Sequence, residues 1–218
     1  MPSKEVIKHI GAGRIVAIMR GDFRGRETEI VQVLHEAGIR AVEVTLNSPE
    51  AVASIKRLAK EFAANIVVGA GTVLTVEEVE RVADAGAAFI VSPNCVSSVI
   101  EATKRRDLVS MPGCFTPSEI IEAFDAGADA AKVFPAESLG VGFIRAMLSG
   151  PLPDALLVPT GGLTVENVGA YFEAGAWAAG IGSELVNPNV IRNSGLDSLY
   201  AQAMRFLAAV GMSNSGEE

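Results

Sequence analysis

The stretch Glu29-Ile30-Val31-Gln32-Val33-Leu34-His35-Glu36-Ala37-Gly38-Ile39-Arg40-Ala41-Val42-Glu43-Val44-Thr45-Leu46-Asn47 holds two periodicities joined at one glycine. Up to Ala37 the apolar residues fall at helical spacing, and Gly38 suits a helix C-terminus. From Ala41 the pattern alternates: Val42, Val44 and Leu46 share one parity, while Glu43, Thr45 and Asn47 share the other. Helix, glycine corner and strand make one unit, and the unit recurs. Ala37-Gly38, Ala85-Gly86, Ala126-Gly127 and Ala174-Gly175 mark equivalent corners. Short apolar runs lie at 15–19, 41–46, 66–70, 89–91, 108–110, 130–134, 156–158 and 178–181, after an opening helix-like segment at 3–10. Eight strand-loop-helix units predict an α/β fold, a (β/α)8 TIM barrel with a short N-terminal helix. A doubly wound open sheet fits less well, because no GxGxxG follows the first strand.

Length and composition agree. A chain of 218 residues is the size of one barrel domain, roughly 200 to 250 residues. Half of it is hydrophobic (49%), yet it holds only nine Phe, two Tyr and one Trp, so branched aliphatics and Ala fill the interior. Nothing divides the chain: a single domain is expected over 1–212, with a small polar tail, 213–218, expected to fray. No apolar run approaches the ~20 residues that span a bilayer. Met1-Pro2-Ser3-Lys4-Glu5 reaches its charges without an apolar stretch, so a cytoplasmic location is expected. Cys95 and Cys114 lack CxxC spacing and read as buried thiols. His9 and His35 lie in helix-like segments and need no ligating role. A net charge of −8 excludes a general nucleic-acid or anionic-membrane partner, though a small anion can still be held by backbone amides and local cations.

The chemistry sits where alternation puts polar groups toward the barrel axis. Glu43 is one such group. Lys132, the only cation in Ala130-Ala131-Lys132-Val133-Phe134, shares its parity with Ala130 and Phe134 and also points inward. A structural ion pair is one reading of the two. The other is an active site: a lysine in a dry pocket has a lowered pKa, and its neutral amine attacks ketones to form a Schiff base. Glu43 then serves as the base that takes a hydroxyl proton during C–C cleavage, with no metal or organic cofactor. Gly69-Ala70-Gly71-Thr72, Pro159-Thr160-Gly161-Gly162 and Gly180-Ile181-Gly182-Ser183 follow the third, seventh and eighth strands. The last two loops are where barrels build phosphate sites. Arg20 ends the first strand, where a guanidinium can fork onto a carboxylate.

The set Ala17-Ile18-Met19-Arg20-Gly21, Val42-Glu43-Val44-Thr45-Leu46, Gly69-Ala70-Gly71-Thr72-Val73, Ser92-Pro93-Asn94, Met111-Pro112-Gly113, Lys132-Val133-Phe134-Pro135-Ala136-Glu137 and Pro159-Thr160-Gly161-Gly162 resembles the 2-keto-3-deoxy-6-phosphogluconate (KDPG) and 4-hydroxy-2-oxoglutarate aldolase family over residues 6–210. The resemblance implies a class I aldolase of the Entner–Doudoroff pathway, usually a homotrimer. Such an enzyme cleaves the phosphorylated keto acid to pyruvate and glyceraldehyde 3-phosphate, and some members also cleave 4-hydroxy-2-oxoglutarate. It implies Lys132 as the Schiff-base lysine and Glu43 as general acid/base. Thr72, Pro93 and Phe134 would line the pyruvate site, and Thr160, Gly161, Gly162, Gly182 and Ser183 would bind substrate around its phosphate.

One position departs from the gluconate pattern. Asn47 stands where many gluconate-type members carry Arg, and Leu46-Asn47-Ser48-Pro49 looks more like the phosphogalactonate aldolase branch, in which the arginine ending strand 1, here Arg20, takes over carboxylate binding. Two other readings remain open at this level. A sugar-phosphate isomerase or epimerase would use Glu43 as its base without covalent chemistry, and a non-catalytic phosphometabolite-binding barrel would keep Lys132 and Glu43 as a structural pair.

Overall fold

The computed structural model describes residues 1–212; the tail expectation at 213–218 lies outside the described residues. The order is α1 (Ser3–Gly13), β1 (Ile15–Met19), α2 (Glu27–Ala37), β2 (Ala41–Thr45), α3 (Ala51–Glu61), β3 (Val67–Gly71), α4 (Val76–Asp84), β4 (Phe89–Val91), α5 (Ser97–Arg105), β5 (Val109–Met111), β6 (Gly113–Cys114), α6 (Pro117–Asp125), β7 (Ala131–Val133), α7 (Ala136–Ser149), β8 (Leu157–Pro159), α8 (Val168–Glu173), β9 (Ala179–Ile181) and α9 (Pro188–Ala209). All eight expected strand runs are present. The fifth differs: it continues past Ser110 and is split by Pro112 into β5 and β6, because proline has no N–H to give to a ladder.

Local chemistry explains the element ends. In α2 the residues Ile30, Val31, Leu34 and Ala37 are buried, and Gly38 leaves the helix at φ 110 while its N–H donates to His35 O at 3.0 Å. At the start of α6, Thr116 and Glu119 form a reciprocal capping box with Pro117 in the first turn.

Every strand pairing is parallel. One sheet has the order β5-β4-β3-β2-β1-β9 and the other β6-β7-β8. Both edges of the two sheets meet. On one side Asp129 N and Ala130 N donate to Ser110 O at 3.0 and 3.2 Å, and Lys132 N to Pro112 O at 2.9 Å. On the other, Trp177 N donates to Leu157 O at 3.0 Å, and Thr160 bridges Gly180 in parallel.

Strand alternation sorts the interior into two cores. Val42, Val44, Val68, Ala131 and Val133 face outward and pack with the helices. Val16, Val67, Phe89, Val109, Ala130 and Val158 face inward and form a second cluster with Val6 and Ile10 of α1. Those two α1 side chains are fully buried, at about 1.5–3 kcal/mol each. Helix α1 thus packs on the apolar inward row, which the N-terminal strand residues supply. Polar residues of the same parity, Glu43, Thr45, Lys132 and Thr160, lie further along their strands, toward the C-terminal ends. They are buried too. Among the described residues no helix is long and apolar enough to cross a membrane.

Candidate active site

Glu43 lies in the middle of β2, opposite Ile18 on one side and Gly69 on the other. Its side chain is 2% exposed. Room for it comes from Gly71: a Cβ there would stand 1.7 Å from the Glu43 Oε1. That oxygen is buried without a hydrogen-bond partner among the described residues, an expensive state for a polar atom unless a reacting group uses it. Lys132, 5% exposed, lies opposite Gly113 and Val158, and its Nζ is 4.9 Å from the centroid of the Phe134 ring. Glu43 and Lys132 both border a small interior void of ≈ 10 Å³, shared with Thr160 and Gly180.

The two charges sense each other without pairing. None of the ion pairs within 4.0 Å among the described residues joins Lys132 to Glu43. Burial pushes the Glu43 carboxyl above its ordinary range, with Lys132 and Arg20 pulling partly back. Burial also lowers the Lys132 ammonium, opposed by Glu43 and assisted by Arg20. Burial thus drives each group toward its neutral form, the direction in which an amine gains nucleophilicity and a carboxyl holds its proton more tightly.

Above this pair opens a cleft of ≈ 240 Å³. Ile18 and Lys132 border it from β1 and β7, Phe134 from just past β7, and Thr160, Gly161, Gly162 and Leu163 from the segment after β8. Gly180, Gly182, Ser183, Glu184 and Val186 border it from β9 and beyond. Arg20 also lines it, is exposed and, among the described residues, takes part in no ion pair within 4.0 Å. Gly161 and Gly162 have φ of 91° and 72°, a backbone that side chains disfavour. Glu137 packs against Gly162, its Oε2 2.2 Å from where a Cβ would stand.

Comparison with known proteins places this constellation. The family model described as KDPG and KHG aldolase matches residues 6–202. The chain belongs to the KDPG and KHG aldolase family. A probable 2-dehydro-3-deoxy-6-phosphogalactonate aldolase of Rhizobium meliloti (strain 1021) is 41% identical over 180 residues, 81% of this chain and 83% of that protein. A solved structure described as native KDPGal superposes with a TM-score of 0.84 at 34% identity, covering 89% of this chain and 93% of that one. The KDPG aldolase of Legionella pneumophila, solved with pyruvate captured as a covalent carbinolamine, gives 0.81 at 26% identity, covering 91% and 96%.

This aldolase, a carbon–carbon lyase, gathers most of the residues singled out in its sequence into one place. Arg20, Lys132, Phe134, Thr160, Gly161, Gly162, Gly182 and Ser183 line the cleft, with Glu43 at the void beside Lys132. Thr72 and Pro93 follow β3 and β4 at the same end of the sheet but do not line the cleft. Thr72 is half-buried at φ 59, and Pro93 is exposed with its carbonyl packed against Gly113. Ile18, Leu163, Glu184 and Val186, which the sequence does not mark as site residues, also line the aldolase cleft, as does Gly180 of the glycine cluster after the last strand. The inward parity of Val16 and Ala178 points to Ile18 and Gly180; the loop residues carry no comparable signal. Cys95 and Cys114 are free thiols, half-buried and buried respectively.

Proposed function

We propose that this aldolase works through a Schiff base on Lys132 with Glu43 as the shared acid and base, and that its substrate is a 2-keto-3-deoxy-6-phosphohexonate. The observation that carries the reading is a buried, unpaired lysine beside a buried carboxylate with an orphaned oxygen, both beneath one open cleft. The Lys132 amine adds to the C2 carbonyl, and loss of water leaves an iminium. That cation draws the electrons of the C3–C4 bond as the Glu43 carboxylate accepts the C4 hydroxyl proton, releasing glyceraldehyde 3-phosphate. Glu43 returns its proton to C3 of the enamine, and hydrolysis frees pyruvate and Lys132. Arg20 takes the substrate carboxylate. The amides of Gly161, Gly162, Gly182 and Ser183, with the Ser183 hydroxyl, take the phosphate, while Phe134 and Thr160 border the keto end. Thr72 and Pro93 complete the pyruvate side from β3 and β4 once substrate is seated.

Two C4 epimers fit this scheme. The Lys132-Val133-Phe134-Pro135-Ala136-Glu137 motif supports the gluconate epimer, and the smaller 4-hydroxy-2-oxoglutarate would follow the same imine route. Asn47 and the 41%-identical relative favour the galactonate epimer. Pyruvate release from the two epimers, assayed side by side, decides between them, and Lys132→Ala should abolish release from both. Persistent release by Lys132→Ala would contradict the scheme.

Three wider features belong to the proposal. The two curled sheets, bonded along both edges, make one closed (β/α)8 barrel, with β5 and β6 as a single interrupted stave. Three copies assemble, supported by the exposed apolar side chains of Leu74, Phe115 and Ile121. The enzyme acts in the cytoplasm, in keeping with two unbridged thiols.

A further inference from the structure

Beyond Met19 and Val44 the ladder between β1 and β2 ends, yet the two chains stay joined by side chains. Gly21 N donates to Ser48 Oγ at 3.0 Å. The Ser48 and Thr45 hydroxyl oxygens are 3.0 Å apart, and Thr45 Oγ1 donates to Met19 O at 3.4 Å. Only one direction satisfies all three contacts. Thr45 spends its proton on Met19, so Ser48 donates to Thr45 and accepts from Gly21.

The two ends of this relay are the C=O of Met19 and the N–H of Gly21, which belong to the two peptide groups on either side of Arg20. Both flanking peptides are therefore held by hydroxyls of the neighbouring strand and its turn. Thr45 is fully buried, and the turn is closed by Ser48 N donating to Thr45 O at 2.9 Å. Gly21 has φ 117, and a Cβ there would meet Pro188 at 3.1 Å. The guanidinium that rises from this clamped backbone has no ion-pair partner among the described residues and lines the cleft.

We propose that Ser48 and Thr45 are positioning residues that hold Arg20 where its guanidinium meets the substrate carboxylate. The inference rests on the proposed role of Arg20. The C1 carboxylate, next to the imine carbon, keeps the same formal charge before and during C3–C4 cleavage, so its clamp acts on ground and transition states alike and losing it raises KM more than it lowers kcat.

The test is a double-mutant cycle on steady-state cleavage. Arg20→Ala should raise KM more than tenfold. Ser48→Ala, which removes hydrogen bonds of ordinary strength, should raise it about fivefold with little change in kcat. Ser48→Thr should restore the wild-type KM, and Thr45→Val, which keeps shape without a hydroxyl, should repeat the Ser48→Ala effect should that variant fold poorly. In the combined Arg20→Ala, Ser48→Ala enzyme, KM should equal that of Arg20→Ala alone, because the clamp has nothing left to position. Additive effects, or an unchanged KM in both Ser48→Ala and Thr45→Val while Arg20→Ala is impaired, would overturn the positioning role alone. An unchanged KM in Arg20→Ala would overturn the carboxylate role of Arg20 and the clamp's purpose with it.

Discussion

Lys132 and Glu43 are each held against their preferred charge, and the sign of each influence can be measured. Imine formation needs the neutral amine, so the rate of borohydride inactivation at saturating pyruvate should rise with pH as Lys132 loses its proton, with a midpoint below the ordinary 10.5. The Glu43 carboxylate raises the lysine's pKa, so Glu43→Gln should move that midpoint lower. Arg20 lowers it, so Arg20→Ala should move it higher. Shifts of the same sign in both variants would contradict the electrostatic account. The inward direction of both side chains is legible in the sequence, because alternation along a strand is a local property. Whether they form an ion pair is not legible. That depends on the distance between β2 and β7, which no local pattern encodes, and it is the unpaired geometry that separates a reactive lysine from a structural one.

At the scale of the element, β3 shows how glycine serves two ends in one strand. Gly69-Ala70-Gly71-Thr72 reads in the sequence as a glycine cluster at a strand end, whereas Gly69 and Gly71 lie within β3 itself and face inward. Each leaves space for a different neighbour: the Phe89 ring lies 2.3 Å from a Cβ placed on Gly69, and the Glu43 carboxyl 1.7 Å from one on Gly71. Gly71→Ala should displace the carboxyl and cut turnover by about 10²-fold, the scale of one misplaced acid/base group. Gly69→Ala should overpack the apolar layer, costing about 1–3 kcal/mol, and leave KM unchanged. Thermal melts and steady-state kinetics on the two variants check this division; equal turnover in Gly71→Ala and wild type would contradict it. The split of the fifth stave has the same character. Pro112 is plain in the sequence, but its position inside a strand becomes evident only when Ser110 and Cys114 are seen in ladders on either side. The clamp around Arg20 is likewise not legible in the sequence, since Ser48 sits in an Asn47-Ser48-Pro49 turn whose composition alone signals no partner on β1.

For the whole molecule, the interior is divided along the strands. The inward row near the strand starts is apolar and packs on α1, while the row near the strand ends carries Glu43, Thr45, Lys132 and Thr160. Stability and chemistry are therefore drawn from different layers of one fold. The acidic surplus of the chain, −8, makes the cations at the cleft costly to replace: among the described residues Arg20 and Lys132 are the two that line it. Exposed Leu74, Phe115 and Ile121 lie outside the cleft and would be covered in the proposed trimer. Sedimentation should give a species of three chains, and Phe115→Glu should weaken it; a single-chain species for the wild type would contradict the trimer. The proposed mechanism stands or falls with Lys132 as the imine-forming nucleophile. Its most direct measurement is peptide mass spectrometry after incubation with pyruvate and borohydride. The account predicts a reduced pyruvyl adduct on the peptide containing Lys132, lost in Lys132→Ala and still formed in Glu43→Gln. An unmodified Lys132, or an adduct confined to another lysine, would contradict it.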